Sequence, residues 1–206
     1  MLKFNPHKEN CTGCSACYSA CPVRCISMKA DEEGFLYPES TDECIECGLC
    51  ERVCPSFKEK SECTHPKSVY AAVSKDYAIW HRSTSGGAFS EIVRHWTEDD
   101  SLIVGAAWRG FTVHHIGVVG FRNIPPLCKS KYMASSIEDT FIEIRTHLQK
   151  GKKAVFCGCP CQVDGLRKFL RKEYEHLLTI DLICHGQGSP LVFAECIKEI
   201  GTQLGS

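Results

Sequence analysis

Two cysteine runs near the start of the chain constrain its fold more than any other feature. Both runs have the spacing C-x2-C-x2-C-x3-C followed by proline, and the second repeats the first 33 residues later. The cysteines are Cys11, Cys14, Cys17 and Cys21 before Pro22, and Cys44, Cys47, Cys50 and Cys54 before Pro55. Thiols at every third residue place three thiolates around a tight, amide-rich turn, which is the pattern of 4Fe–4S ligation. We therefore expect two 4Fe–4S clusters.

The spacing also predicts how the cysteines divide between the clusters. In this type of run, the fourth cysteine ligates the cluster that is held mainly by the other run. The predicted ligands of the first cluster are Cys11, Cys14, Cys17 and Cys54, and those of the second are Cys44, Cys47, Cys50 and Cys21. Structural zinc sites use separated pairs of cysteines, and a third thiol so close would crowd a tetrahedral ion. A zinc-stabilised interaction module is kept as an alternative, whereas disulfides would need an oxidising compartment.

Composition and charge restrict the compartment and the partners. The chain has 206 residues, of which 43% are hydrophobic and sixteen are cysteine. Its first residues lack the apolar region of a signal peptide, and its best apolar run, residues 102–108, is far too short to span a bilayer. We expect a cytoplasmic protein with no membrane span, where so many thiols indicate metal binding. The net charge of −1 provides no field that would attract nucleic acid, so no nucleic-acid partner is predicted.

The first predicted domain, residues 1–63, carries seven basic and eleven acidic residues, a net charge of −4. This segment resembles the two-cluster bacterial ferredoxin module in all eight cysteines of the runs and in both prolines that follow them. Residues 26–29 and 35–38, on either side of a polar turn, predict a short hairpin. The segment has little core material, so we expect the clusters to hold it together. The polar residues 56–62 are the predicted linker. Cys25 and Cys63 are interpreted as small buried hydrophobes.

The second predicted domain, residues 64–206, alternates between strand and helix patterns and has a net charge of +3 from seventeen basic and fourteen acidic residues. Strands are predicted at 69–74, 102–108, 112–119, 154–156 and 178–183, and helices at 87–95, 137–149, 163–170 and 191–200. The predicted fold class is α+β overall, a ferredoxin-like two-cluster module followed by an α/β domain with a mixed sheet.

Two features of the second domain are candidate sites. The Ser- and Gly-rich loop 83–87 opens directly into a predicted helix, so it can seat a nucleotide pyrophosphate or serve only as a helix cap and tight turn. Cysteines follow two predicted strands, at 157–161 and at 184, where ligands gather in α/β sheets. Three alternating cysteines cannot all lie on one side of an extended chain. We therefore select Cys161 and Cys184. Cys128, Cys157 and Cys159 are interpreted as buried hydrophobes, with a ligand role for Cys157 or Cys159 as the alternative.

Four motifs, in this order, resemble the coenzyme F420 hydrogenase/dehydrogenase beta-subunit family. They are Ser83-x-Ser85-Gly86-Gly87-x-Phe89, Ser130-Lys131-Tyr132, Gly158-x-Pro160-Cys161-Gln162 and Asp181-Leu182-Ile183-Cys184-His185-Gly186. The resemblance runs from about residue 1 to the end of the chain, because a ferredoxin module ahead of this domain is a common family arrangement. Family members continue past the position of Ser206, so the resemblance implies a C-terminally truncated fragment.

The resemblance implies cofactors and their contacts. It implies FAD in the full-length protein, with Ser85, Gly86 and Gly87 near the flavin nucleotide and Lys131 near the ring system. For Lys131, a solvated surface position is the alternative. The resemblance also implies a third 4Fe–4S cluster close to the flavin, whose ligands include Cys161 and Cys184.

The implied function is that of an iron–sulfur flavoprotein oxidoreductase, for which no catalytic residue is predicted. Electrons would pass between F420 or another small two-electron carrier, FAD and the clusters, and on to a redox partner protein or subunit. The alternative is a non-catalytic two-cluster electron carrier with an interaction domain.

Overall fold

The computed structural model describes residues 8–57 and 66–204. Within these ranges the chain forms seven α-helices and seven β-strands. The helices are α1 (Ala16–Ala20), α2 (Leu49–Arg52), α3 (Tyr77–Arg82), α4 (Ala88–Trp96), α5 (Thr140–Gln149), α6 (Pro160–Leu170) and α7 (Pro190–Leu204). The strands are β1 (Ile26–Ala30), β2 (Leu36–Ser40), β3 (Leu102–Arg109), β4 (Thr112–Val119), β5 (Ser135–Ser136), β6 (Ala154–Gly158) and β7 (Leu177–Asp181).

The N-terminal part repeats its backbone as well as its sequence. In each cysteine run, two residues lie in the left-handed region at equivalent positions. They are Gly13 and Ser15 in the first run, at φ 65° and 61°, and Glu46 and Gly48 in the second, at φ 54° and 68°. A short helix follows at the equivalent place, α1 in the first half and α2 in the second. The antiparallel hairpin β1–β2 lies between the runs, as predicted.

The second part is built on a five-stranded mixed sheet of order β5-β4-β3-β6-β7, which confirms the predicted fold class. Strands β3 and β4 are antiparallel, whereas the pairs β3–β6, β6–β7 and β4–β5 are parallel. Every residue of β6 is buried. A central parallel strand is covered on both faces, which explains its continuous apolar sequence.

Several predicted elements differ from the structure; β7 ends two residues earlier than predicted and α7 four residues later. Residues 69–74, predicted as a strand, form no regular element, and Val69, Tyr70 and Val73 are exposed. Helix α5 begins three residues later than predicted, after Glu138 at a left-handed φ of 48°. Helix α6 begins three residues earlier, because Pro160 occupies its first turn, where a missing N–H is harmless. Cys63 and predicted linker residues 58–62 lie outside the described residues.

One hydrophobic core crosses from the N-terminal part into the second. Buried Cys14, Ala16 and Val53 pack in the same cluster as residues of β3, β6, α5 and α6, among them Phe141 and Leu166. Gly165 of α6 permits this approach, since a Cβ there would lie 3.0 Å from both Cβ and Sγ of Cys14. Burying a side chain such as Val53 contributes roughly 1.5–3 kcal/mol. The module therefore gains stability from α6 as well as from its expected clusters.

In the part of the chain that the structure describes, no helix is both long enough and apolar enough to cross a membrane.

Candidate functional site

The four cysteines that the sequence assigns to the first cluster lie around one small cavity of about 20 Å³. Three of them, Cys14, Cys17 and Cys54, have only 9%, 8% and 9% of their surface exposed. Burial raises the pKa of the Cys14 thiol to about 12 and also raises that of Cys17. A thiolate in this pocket therefore needs a bound cation, which is the role of iron in a cluster.

The four cysteines assigned to the second cluster lie around a separate cavity of about 200 Å³. Cys44 and Cys47 are exposed, in contrast to the first set. Cys25, which the sequence placed outside the ligand scheme, also lines this cavity, and its Sγ lies 3.4 Å from Sγ of Cys21. The second cavity thus has five thiols. Within the described ranges, no three His, Cys, Asp or Glu side chains converge as a single metal ion would require.

We call residues 8–57 the cysteine module and residues 66–204 the sheet domain. A cleft of about 750 Å³ lies between them. Cys11, Thr12 and Gly13 line its module side, while Cys161 and Cys184 line its sheet-domain side. The Thr12 side chain hydrogen-bonds the Cys161 thiol, although burial keeps the pKa of Cys161 raised. Because Cys11 lines both the cleft and the first cavity, these two spaces are neighbours.

The turn from β6 into α6 places a third thiol, that of Cys159, beside Gln187 of this wall. Cys159 precedes Pro160 at the helix start, and Gln187 Nε2 donates a 3.2 Å hydrogen bond to its Sγ. Burial, with added contributions from Cys184 and Cys161, raises the pKa of Cys159 to about 11. The limit on alternating cysteines holds only for an extended chain, and here the chain turns after Gly158. Cys157 remains buried in β6, as interpreted from the sequence.

A line of buried polar groups supports this turn, and no local sequence pattern indicated it. His115, on β4, places Nε2 3.2 Å from the Cys157 carbonyl, and its Nδ1 accepts from the Ser135 hydroxyl at 3.0 Å. Gln162 Nε2 donates to Ser135 Oγ at 3.0 Å, and Gln162 Oε1 accepts from the Cys159 N–H at 2.9 Å. Ser135 and Gln162 both line the cleft. The carbonyl partner fixes the proton of neutral His115 on Nε2.

The residues assigned to flavin lie together, away from the cleft. The Ser130 N–H donates to Thr84 Oγ1 at 3.0 Å, which joins the loop 83–87 to the segment around Lys131. Gly86 is required by packing, since a Cβ there would lie 2.1 Å from the Ala72 carbonyl oxygen. Gly87, at φ 87°, caps α4 without a side-chain hydrogen bond. None of Ser85, Gly86, Gly87 and Lys131 lines the cleft.

Lys131 is half-buried rather than fully solvated. Its Nζ donates to the carbonyls of Pro126 at 3.0 Å and Cys128 at 2.7 Å, and burial lowers its pKa. The first turn of α4 has N–H groups that no side-chain cap satisfies, and such a turn suits a phosphate. The first turn of α4 is therefore able to accept a phosphate group, while the glycine at 86 needs no ligand to explain it.

Two family models match the chain, one in its N-terminal part and one in its C-terminal part. Residues 10–57 match the family model of the 4Fe-4S dicluster domain. Residues 151–206 match the family model for the C terminus of the beta subunit of coenzyme F420 hydrogenase/dehydrogenase.

Curated relatives match over short lengths. The chain is 37% identical over 60 residues to NADH-quinone oxidoreductase subunit I 2 of Geobacter metallireducens, covering 26% of this chain and 46% of that one. It is 45% identical over 40 residues to a ferredoxin of Streptomyces griseus, covering 19% and 34%. It is 43% identical over 49 residues to a 7Fe ferredoxin of Hydrogenibacillus schlegelii, covering 23% and 58%. The matches therefore span less than two thirds of each relative.

A solved structure of the F420-reducing NiFe hydrogenase complex from Methanosarcina barkeri, derivatised with xenon, is also similar. The identity is 17% and the TM-score is 0.47, over 63% of this chain and 46% of that chain.

Proposed function

The chain belongs to the beta-subunit-like family of coenzyme F420 hydrogenases and dehydrogenases, with a 4Fe–4S dicluster domain at its N-terminal end, and on this premise we propose that it is an iron–sulfur flavoprotein oxidoreductase. It passes electrons between a reduced two-electron carrier, FAD and 4Fe–4S clusters. One observation carries the proposal: two cavities, each with the four cysteines assigned to one cluster, lie in series with a cleft that holds further thiols.

The eight run cysteines are the proposed cluster ligands, divided as their two cavities divide them. Cys11, Cys14, Cys17 and Cys54 hold the first cluster, and Cys21, Cys44, Cys47 and Cys50 hold the second. When bound, such clusters accept and release single electrons. Cys17 and Cys54 of the first set pack against Cys21 and Cys50 of the second, so the two sets adjoin. The chain thereby arranges the cleft, the first set and the second set in that order.

In the cleft, Cys161 and Cys184 are the proposed ligands of a third cluster, with Cys159 beside them. Gln187 and the line from His115 to Gln162 hold this thiol group in place. The hydrogen bond from Thr12 connects Cys161 to the turn that carries Cys11 and Cys14, which keeps the third site next to the first.

Ser85, Gly86, Gly87 and Lys131 are the proposed FAD contacts. When bound, FAD supplies the exchange between two-electron and one-electron transfer. The open first turn of α4 receives its phosphate groups, and the Lys131 ammonium adds a positive charge on the neighbouring segment. The two-electron donor is F420 or another small carrier, in keeping with the family.

A redox partner protein or subunit would dock at the second cavity. Cys44 and Cys47 are exposed there, and Ile45 between them has 60% of its surface exposed. Glu46 and Glu51 also line the cavity, so a partner with basic residues around its own redox centre is favoured. We propose a cytoplasmic location, because none of the fifteen cysteines of the described residues forms a disulfide with another.

A non-catalytic two-cluster electron carrier is the second candidate. The observation in its favour is that packing and backbone hydrogen bonds account for Gly86 and Lys131 without a flavin. In that case, the sheet domain would serve as an interaction domain for the electron-carrying module.

Anaerobic reconstitution followed by iron, acid-labile sulfide and flavin analysis separates these functions. The oxidoreductase proposal expects iron and sulfide for at least two clusters together with bound flavin, in this chain or in one extended past Ser206. Ser85→Asp, which places a negative charge beside the open turn of α4, should abolish flavin binding and leave the iron content unchanged. Iron and sulfide without flavin in both chains would leave the carrier function, and zinc without sulfide would eliminate both.

A further inference from the structure

The thiol of Cys159 lies next to the cleft without lining it. Cys161 and Cys184 line the cleft as proposed ligands of a third cluster, whereas Cys159 is bonded to Gln187 of the cleft wall, whose Nε2 donates to its Sγ at 3.2 Å. The Cys159 thiol is also hydrogen-bonded to that of Cys184. This pair of thiols therefore has one member at the proposed cluster site and one member beside it.

The sheet brings these two thiols together. In the parallel pair of β6 and β7, Gly158 lies opposite Asp181, and the Leu182 N–H continues the ladder by donating to the Gly158 carbonyl at 3.0 Å. Cys159 follows β6 directly, and Cys184 lies three residues past the end of β7. The carboxyl ends of parallel strands meet at one edge of a sheet, so the contact is a product of the fold rather than of local spacing.

Both sulfurs of the pair accept hydrogen bonds from a fixed segment. The Gly186 N–H donates to Cys184 Sγ at 3.4 Å, as Gln187 does to the other sulfur. Gly186 has a φ of 121°, a conformation that favours glycine. The segment is anchored where the Gly188 N–H donates to the Tyr132 carbonyl at 3.2 Å. Such donors stabilise a sulfur that carries negative charge, as an attacking or departing thiolate does.

Exposure gives the two thiols different access to solvent. Cys184 is exposed, whereas Cys159 is half-buried. A small oxidant from solvent therefore meets Cys184 first, and Cys159 is placed to attack a sulfur that has become bonded to Cys184. Cys161 is less suited to this attack, because its side chain is hydrogen-bonded to Thr12 on the opposite side of the cleft.

We propose that Cys159 and Cys184 form a reversible disulfide that withdraws Cys184 from the third cluster site. The oxidant is a small disulfide such as oxidised glutathione. The Cys184 sulfur attacks one of its sulfurs, and the Cys184 proton goes to the glutathione thiolate that leaves. The Cys159 sulfur then attacks Cys184 Sγ, and its proton goes to the second departing thiolate. The two cysteines lose two electrons, and one glutathione disulfide becomes two thiols.

The disulfide acts as a switch on the third site. A thiolate is the form that binds iron, so Cys184 is either a ligand or a partner in the disulfide. Excess reduced thiol reopens the pair and returns Cys184 to the site. Closure also keeps the exposed sulfur of Cys184 from irreversible oxidation while no cluster is bound. The switch rests on the third cluster of the proposed function, whereas the exchange itself requires only the two thiols.

Thiol mapping of the full chain before cluster reconstitution tests the exchange. The chain is treated anaerobically with oxidised glutathione, its remaining thiols are alkylated, and its peptides are identified by mass spectrometry without reduction. The unsubstituted chain and Cys161→Ala should contain a disulfide between Cys159 and Cys184, which excess reduced glutathione reverses. In Cys159→Ala the exchange should stop after its first step and leave glutathione attached to Cys184.

A glutathione adduct on Cys184 in the unsubstituted chain, or a disulfide between Cys184 and Cys161, would overturn the pairing.

The same treatment after anaerobic reconstitution tests the switch. A chain whose iron and sulfide account for three clusters should form no disulfide between Cys159 and Cys184. Exposed Cys196 should take up glutathione before and after reconstitution, which shows that the oxidant is active. The disulfide in a chain that keeps three clusters would overturn the switch, as would iron and sulfide for only two clusters, which leaves the rest of the proposed function standing. Absence of iron and sulfide would overturn the proposed function and the switch with it.

Discussion

His115 is a buried residue whose protonation affects the stability of the fold. It has 2% of its surface exposed, stacks on Phe156 at 5.2 Å and bonds at both ring nitrogens. Burial lowers its pKa from 6.5 to about 4. The neutral ring accepts from Ser135, and the charged ring would lose this acceptor and bring an unpaired charge into the core.

We expect the folded chain to lose stability as the pH falls from 6.5 to 4. Between these values the unfolded chain binds a proton at His115 that the folded chain does not, so the free energy of unfolding decreases with falling pH by up to about 3 kcal/mol. Urea unfolding at pH 7 and pH 5 measures this loss. His115→Gln, which can still donate and accept, should reduce it, whereas His176→Gln at an exposed position should not. The same pH dependence in all three proteins would contradict this assignment.

At this scale, the sequence predicts residues whose role follows from local spacing. The eight run cysteines fall into the two groups that the spacing assigns, because ligands three residues apart share one turn. For Cys25 and Cys159, the sequence favours the role of a small buried hydrophobe. Their contacts with Cys21 and Cys184 depend on how turns and strands meet, which no short-range pattern contains.

Helix α6 is the element that joins the two parts of the molecule. Its N-terminal end carries Cys161 to the cleft, while Gly165 and Leu166 face the cysteine module and the shared core. An ion pair between Arg24 and Asp139 also crosses the same interface, but its side chains are 49% and 64% exposed. Apolar packing, rather than this ion pair, therefore contributes most of the stability of the junction.

Leu166→Ala should lower the free energy of unfolding by about 3 kcal/mol, because it leaves a cavity in a fully buried cluster. It should also release iron from the first cysteine set sooner, since Cys14 packs in the same cluster. Arg24→Ala, which removes the exposed ion pair and the contact of the guanidinium with the Tyr18 ring, should cost only about 1 kcal/mol. Urea unfolding and the rate of iron release to a chelator measure both effects. A larger effect from Arg24→Ala would show that electrostatics hold the junction.

At the scale of elements, long periodic segments were predicted best. The strands β3 and β4 and the helix α4 lie within one residue of their predicted bounds. The strand predicted at residues 69–74 is wrong. A composition rich in apolar and β-branched residues indicates a strand only where a neighbouring strand is available, and within the described ranges these residues pair with none. The start of α6 was missed because its first turn contains Pro160 and follows two cysteines rather than periodic apolar residues.

At the scale of the whole molecule, the two cysteine sets differ in burial, and this difference affects the energy of adding charge at each set. Reduction adds one negative charge to a cluster, and burial makes an added charge more costly. Solvent exposure is one of the factors that set cluster potentials. The first set has three buried cysteines, whereas the second has two exposed ones. The proposed order of centres therefore leads from a buried site to an exposed one.

We expect the second cluster to be reduced at the higher potential. An anaerobic redox titration followed by EPR should show a separate step for each of the two clusters of the N-terminal part. In Cys54→Ala, which lacks a ligand of the first set, the step at lower potential should disappear and the other should remain. Disappearance of the higher step instead would contradict the effect of burial.

The core that Cys14, Ala16 and Val53 share with α6 bears on how interchangeable this module is. A ferredoxin domain that folds independently would have a polar surface on every side. Here, a fragment ending at Phe57 would expose the apolar face that packs against α6. Grafting this fragment onto another scaffold would require a replacement for α6. The N-terminal part depends on the second part for its apolar packing. A redesign that separates the two parts between Phe57 and the sheet domain would therefore divide a shared core.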